Sequence, residues 1–550
     1  MQQSGKFIKG ALILSVAGML AKFVSVFYKI PLNLLVGDSG IGYYQTIFPI
    51  FSILISAGFI GIPNALSKLM AEQIAIGRID EAKQIFKDTF KMSVALGIAV
   101  SFLMVVFAKP LIKLIGWPEG IEYVIWGFAI APVFVFITGA IKGYFQGFQV
   151  MLPTALSQII ENFTKVVIGI SLVSVMVSSN MITAKAVGGA AFGTSIGFIV
   201  SAAALTGFYY KKRHIIESNA KTEYEFNFEE VSVFDSNKAY SFKRQLIKIV
   251  KLAIPVSISA AVFSIMSTAD SLTLPSCFKL IGYSSKYANE IIGKMGNAYS
   301  VINFPLTISV ALAISILPAI SEAAALKNTK ALVEKVKQGI KLAIMLALPA
   351  AAGLFILAEP IMKLLYPKSM GSFYYLQIYS ICLIFIIIGQ TLTGILQGVS
   401  KASVPLYALA GAIIVKVLLN YLLVPTALKG IGAGVSSIAY YATIMVINYI
   451  VIKRTISLKL DWMGMLIKPI VATIGMMFVV FISFPLIYNF MIKVIGKGLG
   501  NAVSTLITVS LGILMYIIIL LYTKSFSREE LSLLPKNKKI INFLEKRKLL

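Results

Sequence analysis

Apolar stretches of about 20 residues or more recur along the chain, near 10–36, 41–66, 90–115, 122–147, 153–178, 186–210, 247–275, 296–320, 338–365, 372–398, 404–426, 430–452, 466–490 and 499–522. Each is long enough to cross a hydrocarbon core of about 30 Å as a helix. In lipid the backbone must satisfy its own hydrogen bonds, so a run of such stretches can only become a helical bundle. Composition agrees: 13% of residues are charged and 58% are hydrophobic, against roughly 25% charged in a soluble domain. The reading is an all-α polytopic membrane protein with about fourteen transmembrane helices. The first stretch follows Lys6 and Lys9 as a signal peptide would, but it continues past Lys22 to Val36. It therefore reads as a spanning helix.

The two halves of the chain echo each other. Gly143-Tyr144-Phe145-Gln146-Gly147 returns as Gly394-Ile395-Leu396-Gln397-Gly398. Lys165 returns as Lys416 at the same offset, and Pro153 as Pro405 with a slip of one residue. Ala108-Lys109-Pro110 resembles Ala358-Glu359-Pro360, and Gly188 to Gly193 resembles Gly430 to Gly434. Corresponding helices run in the same sense, so this is a parallel repeat of two six-helix lobes. The expected organisation is an N-terminal lobe at 1–210, a cytoplasmic linker at 211–246 and a C-terminal lobe at 247–455. Two appended helices at 456–523 and a basic tail at 524–550 complete it. The tail suits either the inner leaflet or solvent.

A net charge of +27 raises the question of nucleic acid. Most of the basic residues, however, lie in the loops of one face. That is the positive-inside pattern, with anionic lipids as partners and no nucleic acid. It puts both termini in the cytoplasm and the protein in the cell membrane. His214 lies in a basic loop, and Cys277 and Cys382 have neither disulfide nor metal spacing. No P-loop, no His-Glu-x-x-His and no acidic loop for a nucleotide sugar occurs. The chain reads as a transporter and not an enzyme, without cofactor, driven by a cation gradient or the membrane potential.

Charges inside the apolar stretches are costly and mark function. From helical rise, Lys165 lies about 18 Å into the membrane, Lys416 about 16 Å and Lys22 about 20 Å. These three are candidate anion-binding residues facing a water-filled cavity, with Lys142 and Lys29 as further candidates. Two bland readings stand beside this one. Glu161 and Lys165, at i and i+4, suit a structural pair, and Lys142 and Lys29 lie near enough to helix ends to snorkel. Asp270 suits ion binding, pairing with a lysine, or interfacial water. Gln146 and Gln397 could offer hydrogen bonds at a cavity mouth, while Gly147 and Gly398 suit helix termination. Uncompensated ammonium groups favour an anion such as pyrophosphate.

Lys142 to Gly147, then Pro153 to Gln158 and Glu161, resemble the multidrug/oligosaccharidyl-lipid/polysaccharide exporter superfamily. Asp270 ahead of Leu274-Pro275, Asn303-Phe304-Pro305, and Leu317 to Glu322 resemble its branch of stage V sporulation protein B and MurJ-type lipid II flippases. The resemblance implies two six-helix bundles and alternating access. It also implies a polyprenyl-pyrophosphate-linked sugar moved from inner to outer leaflet, with lipid II as the substrate class and cell-wall synthesis enzymes as partners. Flippases for other lipid-linked polysaccharides and cation-coupled multidrug exporters share the superfamily. Family members commonly carry arginine where this chain has Lys142 and Lys165, which keeps the charge and loses the bidentate fork. Some also carry arginine in helix 8, where this chain has Ser300 and Val301.

Overall fold

The structure is a computed structural model that describes residues 2–225, 242–326, 328–401, 403–456 and 462–525. Every regular element among them is helical. The first unit, Met1–Gly293, holds α1 (Gln2–Ser56), a π-helical turn (Ala57–Gly61), α2 (Ile62–Ala75), α3 (Ile79–Ile115), α4 (Ile121–Ala129) and α5 (Ala131–Gly147). It continues with α6 (Leu152–Ser178), α7 (Thr183–Glu225), α8 (Phe242–Ala260), α9 (Val262–Leu280) and the start of α10 (Ser285–Ala325). The second unit, Lys294–Leu550, holds the rest of α10, then α11 (Thr329–Ile356), α12 (Ala358–Leu365), α13 (Ser372–Gly398) and α14 (Val404–Leu423). It ends with α15 (Gly430–Ile456), α16 (Trp462–Ile495) and α17 (Lys497–Tyr522).

Among the described residues, 11 helices are long and apolar enough to cross a membrane, or 12 if the bent pair α8 and α9 counts as one span. The difference from about fourteen has local causes. The predicted stretches 10–36 and 41–66 lie on one continuous helical line, α1 with the π-helical turn and the start of α2, and α1 breaks at Gly37 (φ 66°, ψ −171°). This left-handed φ is open to glycine at little cost. Lys29 reaches Gln45, 16 residues on, with a hydrogen bond of 3.1 Å. A straight helix would hold them about 24 Å apart, so the chain folds back at Gly37. The predicted stretch 247–275 bends by 70° between α8 and α9. The stretch 296–320 lies in α10, where the side chains of 310–319 are outside the described residues.

The core of the first unit has an aromatic layer in which Tyr28, Tyr44 and Phe51 of α1 meet Phe128 of α4. A second layer gathers Leu66, Met70, Phe86 and Tyr144. Glycines set the closest approaches. A Cβ on Gly143 would lie 2.9 Å from Leu66, and one on Gly147 would lie 2.8 Å from Met70. In the second unit, α16 and α17 dock on α11 and α12. Tyr516 donates to the Met345 carbonyl at 2.7 Å, and Asn501 donates to the Pro360 carbonyl at 2.9 Å.

The echo in sequence is an echo in backbone. After α5 the chain turns with Gln149 left-handed (φ 58°), and Val150 N–H bonds to the Phe145 carbonyl at 2.8 Å. After α13 it turns with Ser400 left-handed (φ 61°), and Lys401 N–H bonds to the Leu396 carbonyl at 2.8 Å. The next helix starts in each case with proline in its first turn, Pro153 or Pro405. The helices do end at Gly147 and Gly398, as the helix-termination reading has it. The left-handed residue is Gln149, and Gly147 is small because Met70 packs on it.

Gly139 tests this packing. A Cβ there would run into the Gly58 carbonyl, whereas one on Gly207 would meet nothing within 4 Å. Gly139→Ala should cost about 1–3 kcal/mol and lower the thermal unfolding midpoint in detergent. Gly207→Ala should leave it unchanged or slightly raised.

Candidate anion site

Three elements of the first unit bring lysines together. α1 contributes Lys29, with Tyr28 beside it, and after the backfold Tyr44, Gln45 and Phe48. α5 contributes Lys142, and α6 contributes Glu161 and Lys165 one turn apart. The π-helical turn adds Phe59. Its defining bond runs from Ile62 N–H to the Ala57 carbonyl, five residues back. Such turns are rare and recur at functional sites.

Each ammonium meets a different environment. Lys142 is 2% exposed, so it does not snorkel to a helix end. Its Nζ lies 3.9 Å from Glu161 Oε2 and 4.2 Å from the Phe59 ring centroid, with no hydrogen-bond acceptor among the described residues. Lys165 is half-buried, with Nζ 5.0 Å from the Tyr28 ring and 5.3 Å from the Phe48 ring. Among the described residues no oxygen accepts a hydrogen bond from it. Lys29 is half-buried on Gln45, and its charge lies within reach of Lys165. Glu161 is buried and interacts with both Lys142 and Lys165. Two ammonium groups thus share one carboxylate, and Lys29 adds a third positive charge beside them.

The i, i+4 pairing of Glu161 with Lys165 therefore needs correction. Glu161 lies closest to Lys142 of the neighbouring helix, because Lys165 is drawn over aromatic rings. A cation on a ring face is held by the quadrupole while its N–H groups stay available. Lys416 corrects the expectation of a cavity-facing cation. It is 0% exposed, and its Nζ donates to the Ala433 carbonyl at 2.8 Å, Ser436 Oγ at 2.9 Å and Ser437 Oγ at 2.8 Å. Its three N–H groups are spent. The side chain of Lys22 lies outside the described residues. Asp270 is 4% exposed on α9, which rules out open interfacial water around it. Beside it, Trp117 Nε1 donates to the Ser271 carbonyl at 2.8 Å. Gln146 is half-buried and Gln397 exposed.

Sequence reasoning missed the rings. Tyr28, Phe48 and Phe59 look like ordinary lipid-facing or core residues until the Gly37 backfold and the π turn bring them under the lysines. It also missed Glu217, which lies in the predicted linker. There α7 continues as helix to Glu225, Tyr144 donates to Glu217 Oε1 at 2.9 Å, and Lys83 lies 3.1 Å from Oε2.

The family described as "Polysaccharide biosynthesis protein" matches residues 7–324, more than half of the chain. This chain belongs to it. The MatE family matches residues 278–422, which carries the match further into the second unit. The chain is 26% identical to the uncharacterized membrane protein YabM of Bacillus subtilis (strain 168), over 98% of this chain and 97% of that protein. It is 22% identical to stage V sporulation protein B of the same organism, over 96% and 98%. With the lipid II flippase MurJ of that organism it shares 21% identity, over 82% and 83%. A solved structure of lipid II flippase MurJ in an inward closed conformation has the same fold, with TM-score 0.66 and 15% identity over 92% of this chain and 98% of that one. An inward-facing multidrug resistance MATE transporter of the MOP superfamily gives TM-score 0.65 and 15% identity, over 80% and 98%. The chain is therefore a multi-pass membrane transporter of the MOP superfamily, in the branch of stage V sporulation protein B and MurJ.

The ion pair can be tested by a double-mutant cycle. Glu161→Ala leaves Lys142 buried without a counter-charge and should cost about 3–5 kcal/mol. Adding Lys142→Ala should recover most of the loss in thermal unfolding. Strictly additive losses would mean that the two groups do not interact.

Proposed function

We propose that this protein flips a lipid-linked cell-wall precursor carrying pyrophosphate, with lipid II as the substrate, from the inner to the outer leaflet of the cytoplasmic membrane. Alternating access carries the headgroup across for peptidoglycan or spore-cortex synthesis, and both termini face the cytoplasm. The observation that carries this reading is Lys165. It is a half-buried ammonium resting on Tyr28 and Phe48, and among the described residues its N–H groups are unspent and a shared carboxylate lies nearby. Such a group suits phosphate oxygens as a mobile point charge. Lys29 adds positive charge beside it, and Lys22 belongs to the same proposal by its place on α1. Lys142 holds Glu161 and sets the local charge balance.

The substrate's charge makes its passage sensitive to the membrane potential, at about 2.3 kcal/mol per elementary charge for 100 mV. A cation gradient is an equivalent source. The family's description as polysaccharide biosynthesis protein supports a second reading, a flippase for another lipid-linked glycan with the same anion site. Export of organic cations is disfavoured because Glu161 is already engaged by lysine.

The test is depletion in a strain without a redundant flippase, with labelling of surface-exposed lipid II and identification of the precursor that accumulates inside. Lipid II should fall outside and rise inside. If lipid II is unchanged and another lipid-linked glycan accumulates, the second reading replaces the first. Lys165→Ala should insert normally and reduce flipping by about tenfold or more, the value of one charge-assisted hydrogen bond. Full activity of that variant removes Lys165 from the site.

A further inference from the structure

Lys416 solves a different problem from Lys165, although the repeat gives them equivalent places. Around its Nζ stand a carbonyl and two hydroxyls of α15, at 2.8 to 2.9 Å. Ser437 also donates to the Ala433 carbonyl at 2.9 Å, and the single hydroxyl proton of Ser436 is shared between that carbonyl, at 2.8 Å, and Asn420 Oδ1 of α14. Lys416, Asn420, Ala433, Ser436 and Ser437 are all 0% exposed. This is an oxygen cage with a positive charge at its centre. The distances exceed the roughly 2.3–2.6 Å that calcium takes, and they suit an ion of ammonium size.

The first half places the matching hydroxyls differently. Matching Gly188 to Gly430 puts Thr194 and Ser195 in register with Ser436 and Ser437. There Thr194 pairs with the Tyr44 hydroxyl at 3.5 Å, and Ser195 donates to the Gly127 carbonyl at 2.6 Å. Tyr28 donates to the nearby Ala190 carbonyl at 3.1 Å. Among the described residues Lys165 gives no hydrogen bond to these oxygens, and it rests on the rings. In the second half the oxygens converge on the lysine.

We propose that the α14–α15 junction is a monovalent-cation site whose ion is supplied by the chain itself, with Lys416 as the tethered ion. Truncating Lys416 opens a site for a free primary ammonium. The native junction needs no ion from solution. This holds whatever substrate the protein carries.

The experiment follows the thermal unfolding midpoint of the full chain in detergent, in propylammonium chloride or tetramethylammonium chloride at equal ionic strength. Propylammonium replaces the atoms that Lys416→Ala removes, and tetramethylammonium carries the same charge without N–H groups. Lys416→Ala should unfold at a lower temperature than wild type. Propylammonium should raise that midpoint and tetramethylammonium should not, while wild type responds equally to both salts. Lys416→Met fills the space with apolar atoms, so it should be destabilised and unresponsive to propylammonium. The proposal is overturned if Lys416→Ala or Lys416→Met unfolds at the wild-type midpoint, or if both salts act equally on Lys416→Ala. If Lys416→Ala does not accumulate, Ser437→Ala takes its place. It removes one acceptor and should lower the midpoint, and a wild-type midpoint there also overturns the proposal.

Discussion

An ammonium group carried into a bilayer must find an oxygen, a ring face or a counter-charge, and the interior of this protein is arranged around that demand. Leaving such a charge bare costs at least about 2.5 kcal/mol even on lenient insertion scales. The chain meets the demand in three ways. Lys416 is enclosed by oxygens, Lys142 sits between a ring and a carboxylate, and Lys165 lies on two rings. The three solutions differ in how much of the ammonium they consume. Oxygens use up its N–H groups and fix it in place. A ring holds the charge and leaves the directional bonding unspent. The same residue type therefore serves as a structural fastener in one unit and as a candidate for reversible anion binding in the other.

The duplication makes this comparison possible. Both copies keep the turn after the glutamine-glycine pair, with a left-handed residue at Gln149 or Ser400 and a proline starting the next helix. The one-residue slip between Pro153 and Pro405 falls after that left-handed residue, and the original offset returns by Lys165 and Lys416. What diverges is the side-chain chemistry on the shared backbone. Tyr144 in the first copy is Ile395 in the second. Tyr144 holds Glu217 of the extended α7, and Ile395 lies in an apolar core.

The helical membrane class and the echo of the turns after Gly147 and Gly398 were legible, because hydropathy and spacing report directly on burial in lipid and on helix ends. What each lysine touches was not. Lys165 and Glu161 are neighbours on one helix face, yet the closer partner of Glu161 comes from α5, and no period in one helix reveals its neighbour. The rings under Lys165 depend on a reversal at Gly37 that joins residues 16 apart. Lys416 looked exposed to a cavity because it has no acid one turn away. Serine hydroxyls and a carbonyl do the same work without a sequence signature.

The π-helical turn at Ala57–Gly61 also acts as a phase correction. An ordinary turn advances about 100° per residue, and a single wide turn accommodates one residue more than the regular ladder. Everything after it is rotated relative to the helix before it. The residues before the turn, Phe48 and Phe51 among them, face the aromatic layer with Phe128. Those after it, Leu66 and Met70, face Gly143 and Gly147. One continuous helical line thus presents its apolar side to two different partners. A chain with one residue fewer in this turn would bring Leu66 and Met70 to another bearing and leave the glycine groove of α5 unfilled.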